Sequence, residues 1–273
     1  MSRKRGCSED GSPAIPSDTI LSMMKKRIKP ARNNSFLQFF YNMSSHPFFT
    51  PSMKMAEMIA FNSNLLLVLP RFNITLGFGE KSVAEVCEKY HVSSEFLLLV
   101  CNIYTFADYK AETEHLKASD WAFMVPYLKA SHRFYTTERL PHIYRHLQHV
   151  TARIEPRNAA LLDRFFDEYR KEIALHFDNE ENNLFPHLEK LLAGETGGCS
   201  DPQALMEPHE NIMDQLNDLM QIVAKYLPDQ EVTDELVDLM FCVEQLSNDL
   251  ARHAEIEEKI LMPYLIQLEG GQA

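Results

Sequence analysis

The sequence predicts an all-α protein: an antiparallel up-down-up-down four-helix bundle preceded by a small helical N-terminal domain. Three observations carry this. Four long segments of helical periodicity span roughly 119–153, 157–192, 201–227 and 231–268. The separators between them are short, which forces each helix to run against its predecessor. No Val-, Ile- or Thr-rich alternating run reads as a strand.

In chain order, residues 1–16 carry Gly, Ser, Pro and mixed charge without apolar periodicity and are expected to form a disordered tail. Residues 17–112 are assigned to the N-terminal domain. Within it Met55, Met58, Ile59, Asn62, Leu65, Leu66 and Leu69 recur at three- and four-residue steps, predicting one helix that stops at Pro70. Ser82 follows a glycine-rich turn and is placed to cap a helix carrying Val83, Val86 and Cys87. Ser93 is placed likewise for a helix through Phe96, Leu97, Val100 and Tyr104. Residues 119–268 make up the bundle, its helices separated at Glu155-Pro156-Arg157, Gly194 to Ser200 and Pro228-Asp229, with Pro202 suited to a helix start.

The 273 residues are 45% hydrophobic and 24% charged, the balance of a globular chain rather than a disordered one. The longest apolar runs, Leu65 to Leu69 and Phe96 to Cys101, fall far short of the ~20 residues that cross a bilayer, so no membrane partner is expected. Without an apolar stretch behind Met1 to Asp10, the expected location is cytoplasmic. A net charge of -12 disfavours a nucleic-acid partner, which is held by cationic contacts, and suits cation binding. The five cysteines are odd in number and scattered, which reads as reduced thiols.

The chemistry lies in a repeat. His176-Phe-Asp-Asn-Glu180-Glu181-Asn-Asn-Leu184-Phe185-Pro186 aligns with His253-Ala-Glu-Ile-Glu257-Glu258-Lys-Ile-Leu261-Met262-Pro263, sharing H-x3-E-E-x2-L-x-P. Residues four apart on a helix differ by only ~40° of rotation, so each His and the Glu after it share a face. His91 and Glu95 have the same spacing, but Ser93 and Ser94 between them read as a helix start and separate the pair. The other two bundle helices carry His132 and His209. Four His and two Glu exceed what one tetrahedral zinc uses, and two metals sharing the carboxylates of Glu180 and Glu257 are the better count. Imidazole donors suit iron, copper, nickel and zinc. Glu172 and Asp249 stand one turn before His176 and His253, where each either orients its imidazole from behind or is a solvated carboxylate. His142, His146 and His149 form a second stripe; His146 is about 21 Å of helix beyond His132 and cannot reach the same metals. A surface or helix-terminus role is expected for them, with a separate site as the alternative.

These motifs, with S-H-R-F-Y-T-T-E-R-L-P before them and E-P-H-E-N between, resemble the hemerythrin-like, or HHE cation-binding, superfamily over roughly residues 119–268. More closely, the bundle is similar to di-iron proteins of iron-sulfur cluster repair. The resemblance implies a cofactor of two iron ions, oxo- and carboxylate-bridged, with His132, His176, His209 and His253 as ligands and Glu180 and Glu257 as bridges. It implies O2 or NO as small-molecule partner. The small domain ahead of the bundle in the repair proteins carries an adjacent Cys pair where this chain reads Leu76-Gly77-Phe78-Gly79.

Three functions follow as expectations. The first is a non-haem di-iron protein that binds or senses O2 or NO, or supplies iron. The second is an iron-sulfur repair or stress-response protein with an iron-sulfur client. The third is a metal-sensing regulator that uses Ser82 to Cys101 as a helix-turn-helix, against which stand Glu85, Glu88 and Glu95. No substrate pocket is legible in the sequence, so no catalytic residue or reaction is assigned.

Overall fold

The computed structural model describes residues 48–195, 209–226 and 233–270. Contacts divide the chain into Met1–Pro47 and Phe48–Ala273, and everything below concerns the second unit. All regular secondary structure among the described residues is helical, with one isolated bridge between Lys54 and Ser82 in place of any sheet.

The N-terminal part contains α1 (Met55–Phe61), α2 (Leu65–Val68) running into a 3-10 turn (Leu69–Phe72), α3 (Val83–Tyr90), α4 (Ser94–Thr105) and α5 (Ala118–Trp121). The single helix expected up to Pro70 is broken. The Asn62 side chain accepts from the Asn64 amide and donates to Tyr104 O and Thr105 Oγ1, so local side-chain bonds replace a helical turn. Pro70 then sits inside the 3-10 turn, at its start, where no amide is required of it. Ser82 caps α3 with a reciprocal box to Glu85, and Ser93 caps α4. His91 ends α3 in the left-handed conformation, which puts it and Glu95 on different elements.

The bundle follows as α6 (Met124–Phe134), α7 (Leu140–Thr151), α8 (Pro156–Asn179), α9 (Phe185–Leu192), α10 (Glu210–Tyr226), α11 (Asp234–Ile256) and α12 (Met262–Gly270). α7 packs on α8, α8 on α10, α10 on α11 and α11 on α7, which closes a ring of four. Pro202, Pro228 and Asp229 lie outside the described residues.

Three π turns join helices within single rods: Tyr135–Arg139 joins α6 to α7, Glu180–Leu184 joins α8 to α9, and Glu257–Leu261 joins α11 to α12. In each, the next amide reaches back five residues, from Leu140 to Tyr135, Phe185 to Glu180 and Met262 to Glu257. The residue after that amide is always proline: Pro141, Pro186 or Pro263. Proline offers no N–H, and its ring collides with the carbonyl four residues back. A turn widened by one residue removes the clash without breaking the rod.

Two apolar clusters fill the unit. One joins the N-terminal helices to one end of the bundle, bringing Phe72, Phe96 and Leu97 together with Tyr127, Leu128, Phe185, Leu188, Ile256 and Leu261. The other fills the opposite end with Tyr135, Ile143, Phe166, Phe177, Leu216 and Leu250. The N-terminal helices therefore close one end of the bundle in a shared core. The polar residues described next form a layer between the clusters, as on α11, where His253 stands between Leu250 of one and Ile256 of the other.

Candidate metal centre

Each rod delivers its donors from one inward stripe. His132 comes from the end of α6, His176 from α8 with Glu180 one turn on, His209 from just before α10, and His253 from α11 with Glu257 one turn on. All six are buried, the most exposed being His209 at 5%.

They fall into two groups. His132, His253, Glu180 and Glu257 converge in one, and His176, His209 and Glu180 in the other, with donor atoms within 4.8 Å of one another in each. In the first, His132 Nε2 lies 3.0 Å from His253 Nε2 and 3.3 Å from Glu180 Oε2, and His253 Nε2 lies 3.2 Å from Glu257 Oε1. In the second, Glu180 Oε1 is 3.1 Å from His176 Nε2 and 3.5 Å from His209 Nε2, while Glu257 Oε2 is 2.9 Å from His209 Nε2. Each carboxylate thus turns one oxygen to each histidine pair, the arrangement of a bridge.

His132 Nε2 and His253 Nε2 are within hydrogen-bond reach of each other, but the close approaches of the two carboxylates are not hydrogen bonds. Both oxygens of Glu180 and of Glu257, with His209 Nε2, are buried without a hydrogen-bond partner of acceptable angle among the described residues. Buried polar atoms left so are costly, and lone pairs aimed at common points are what a cation would satisfy. The donor set fits two cations sharing Glu180, and its imidazole-rich character suits a first-row transition metal.

Without a cation, protons must balance the carboxylates. Burial works against the charged imidazole of His209, but Glu180 and Glu257 outweigh it and raise His209 to about 10. Burial likewise opposes ionisation of Glu257, yet His253 and His209 hold it well below the usual carboxylate range. Burial lowers His132, the carboxylate of Glu181 offsetting only part of the effect.

Of the two roles open to Glu172 and Asp249, neither acid backs an imidazole. Glu172 is exposed and accepts from the Gln215 side chain. Asp249 is buried but serves another partner: Arg71 of the 3-10 turn reaches it through both terminal nitrogens, 3.1 and 2.5 Å away, and Tyr104 and Tyr135 donate to it at 2.6 and 3.1 Å. The backing role falls to the second Glu of each repeat. Glu181 Oε1 lies 3.0 Å from His132 Nδ1, and Glu258 Oε1 lies 3.4 Å from His209 Nδ1. With a cation bound, each carboxylate would accept a hydrogen bond from Nδ1–H, the tautomer that leaves the Nε2 lone pair facing inward. The separation is 49 residues in both cases, so the two halves of the bundle repeat the same pairing. The duplicated Glu-Glu dipeptide was the sequence signal for this: the first Glu faces the centre and the second grips a histidine of another rod.

His91 lies outside the bundle, and His142, His146 and His149 lie along α7, away from the centre. No curated protein matches the chain. The family model for the hemerythrin HHE cation binding domain matches residues 125–265, just over half of the chain and the whole of the layer described above. A cation-binding bundle with paired His and Glu donors on successive rods is what that match and this geometry have in common, and the chain belongs to the hemerythrin HHE cation-binding family.

Proposed function

We propose that the protein is a non-haem di-iron protein whose centre binds or senses a small diatomic ligand, O2 or NO, or holds iron for delivery. The observation that carries this is the pair of buried donor groups sharing Glu180, with His132 and His253 at one position, His176 and His209 at the other, and Glu257 reaching both. Iron bound there would supply an exchangeable position for a small ligand, because four imidazoles and two carboxylates do not fill two six-coordinate ions. The four neutral imidazoles leave much of the metal charge uncompensated, which favours an electron-rich ligand. Phe177 stacks on His132 at 4.0 Å and Phe185 lies 5.5 Å from it, giving that position an apolar wall suited to a diatomic rather than a polar metabolite.

Two features favour binding over thiol-based repair or regulation. Burial pushes the Cys87 thiol up to about 12 and raises the fully buried Cys101 as well, so neither is a ready nucleophile. Helix α4 buries every residue from Phe96 to Tyr104, which leaves it no face for a DNA groove. Anaerobic reconstitution should load two ferrous ions per chain and give an electronic spectrum that changes with NO or O2. A plateau at one iron per chain, or a spectrum indifferent to both gases, refutes the reading.

A further inference from the structure

The flank of the bundle repeats the logic of its centre with different donors. His142 and His146 stand four apart on α7, and Asp238 and Cys242 stand four apart on α11, the helix packed against it. One ring nitrogen of His142, one of His146 and Sγ of Cys242 form a convergent group within 4.8 Å of one another, and the two Nε2 atoms face each other. The two nitrogens are 3.2 Å apart, close to the ~3.3 Å edge of a tetrahedron with zinc–nitrogen bonds of about 2.0 Å. Asp238 is exposed at the margin and near enough to act on both His142 and Cys242.

We propose that His142, His146 and Cys242, completed by Asp238 or water, form a mononuclear site for a zinc-class cation that ties α7 to α11, separate from the central donors. A thiolate with two imidazoles selects a soft or borderline metal, unlike the oxygen- and nitrogen-only centre. His149, the third member of the stripe, is exposed and takes no part.

Arg145 sharpens the proposal. Its guanidinium donates to His142 Nδ1 at 3.0 Å, which places the ring proton on Nε2 and turns that nitrogen toward His146 as a donor. A metal on Nε2 requires the other tautomer, so Arg145 must release the ring; being exposed, it can do so at little cost. Arg145 therefore opposes metal binding, and Arg145→Gln should tighten it. A plain chain of hydrogen bonds along α7 would give no such effect.

The test uses the full-length iron-loaded protein titrated with Co2+ as a spectroscopic substitute for Zn2+. One Co2+ per chain should give a thiolate-to-cobalt charge-transfer band, a signature the thiolate-free centre cannot produce, and Zn2+ should displace it. The band should vanish in Cys242→Ser, affinity should fall at least tenfold in His146→Ala and rise in Arg145→Gln, and iron content should stay at the wild-type value in all three. Absence of the band in the wild type, its survival in Cys242→Ser, or unchanged affinity in Arg145→Gln overturns the site. Loss of central iron from these variants overturns its separateness.

Discussion

Arg71→Met tests how the N-terminal helices are locked to the bundle. Arg71 and Asp249 are paired with side chains only 2% exposed, and burial holds Tyr104, Tyr127 and Tyr135 as neutral phenols around them. Removing one partner of a buried pair typically costs about 3–5 kcal/mol, because the other charge stays behind unpaired. Tyr104 and Tyr135 would still donate to the stranded carboxylate, so the lower end, about 3 kcal/mol, applies. At 1.36 kcal/mol per decade that is roughly a 150-fold fall in the folded-to-unfolded ratio. Metal content should survive, since the central donors all come from the bundle rods. Urea unfolding of wild type, Arg71→Met and the double variant Arg71→Met/Asp249→Leu gives the cycle. The double variant should regain at least half of the loss, because it strands no charge. A single variant within ~1 kcal/mol of wild type, or a double variant less stable than the single, refutes the claim that an uncompensated carboxylate sets the cost.

The other predictions concern the centre and its cover. Glu181→Gln and Glu258→Gln should each weaken metal affinity about 10–100-fold while Glu172→Gln leaves it unchanged, as read by competition with a chelator. His176→Ala or Glu257→Ala should lower iron content and remove the stabilisation that iron confers, whereas His91→Ala should do neither; metal analysis paired with thermal melts decides it. A fragment of residues 119–268 loses the N-terminal half of one shared core. It should therefore bind a hydrophobic dye and melt lower than the full chain, and a fragment as stable as the parent would show that the N-terminal helices contribute nothing.

The residues legible in the sequence were those whose partners are close in sequence or repeat elsewhere. His176 with Glu180 and His253 with Glu257 share helical faces by spacing alone, and the duplication marked both pairs. The caps at Ser82 and Ser93 were equally local, since each accepts from the amide three residues on. What stayed hidden depended on partners that spacing does not reveal. Asp249 keeps the right spacing to back His253, but Arg71, 178 residues earlier, takes its carboxylate. Glu181 and Glu258 appear in the repeat as surplus acids until the rods are assembled and each meets a histidine on a neighbour. The prolines lie between these cases. Pro141, Pro186 and Pro263 read as helix breakers in isolation, yet each follows a donor-bearing segment by nearly the same distance, and a break repeated at that distance would have destroyed the bundle. A π turn absorbs each proline, and the widened backbone begins at the donors Glu180 and Glu257 and three residues after His132, which makes the proline spacing part of the same pattern as the ligands.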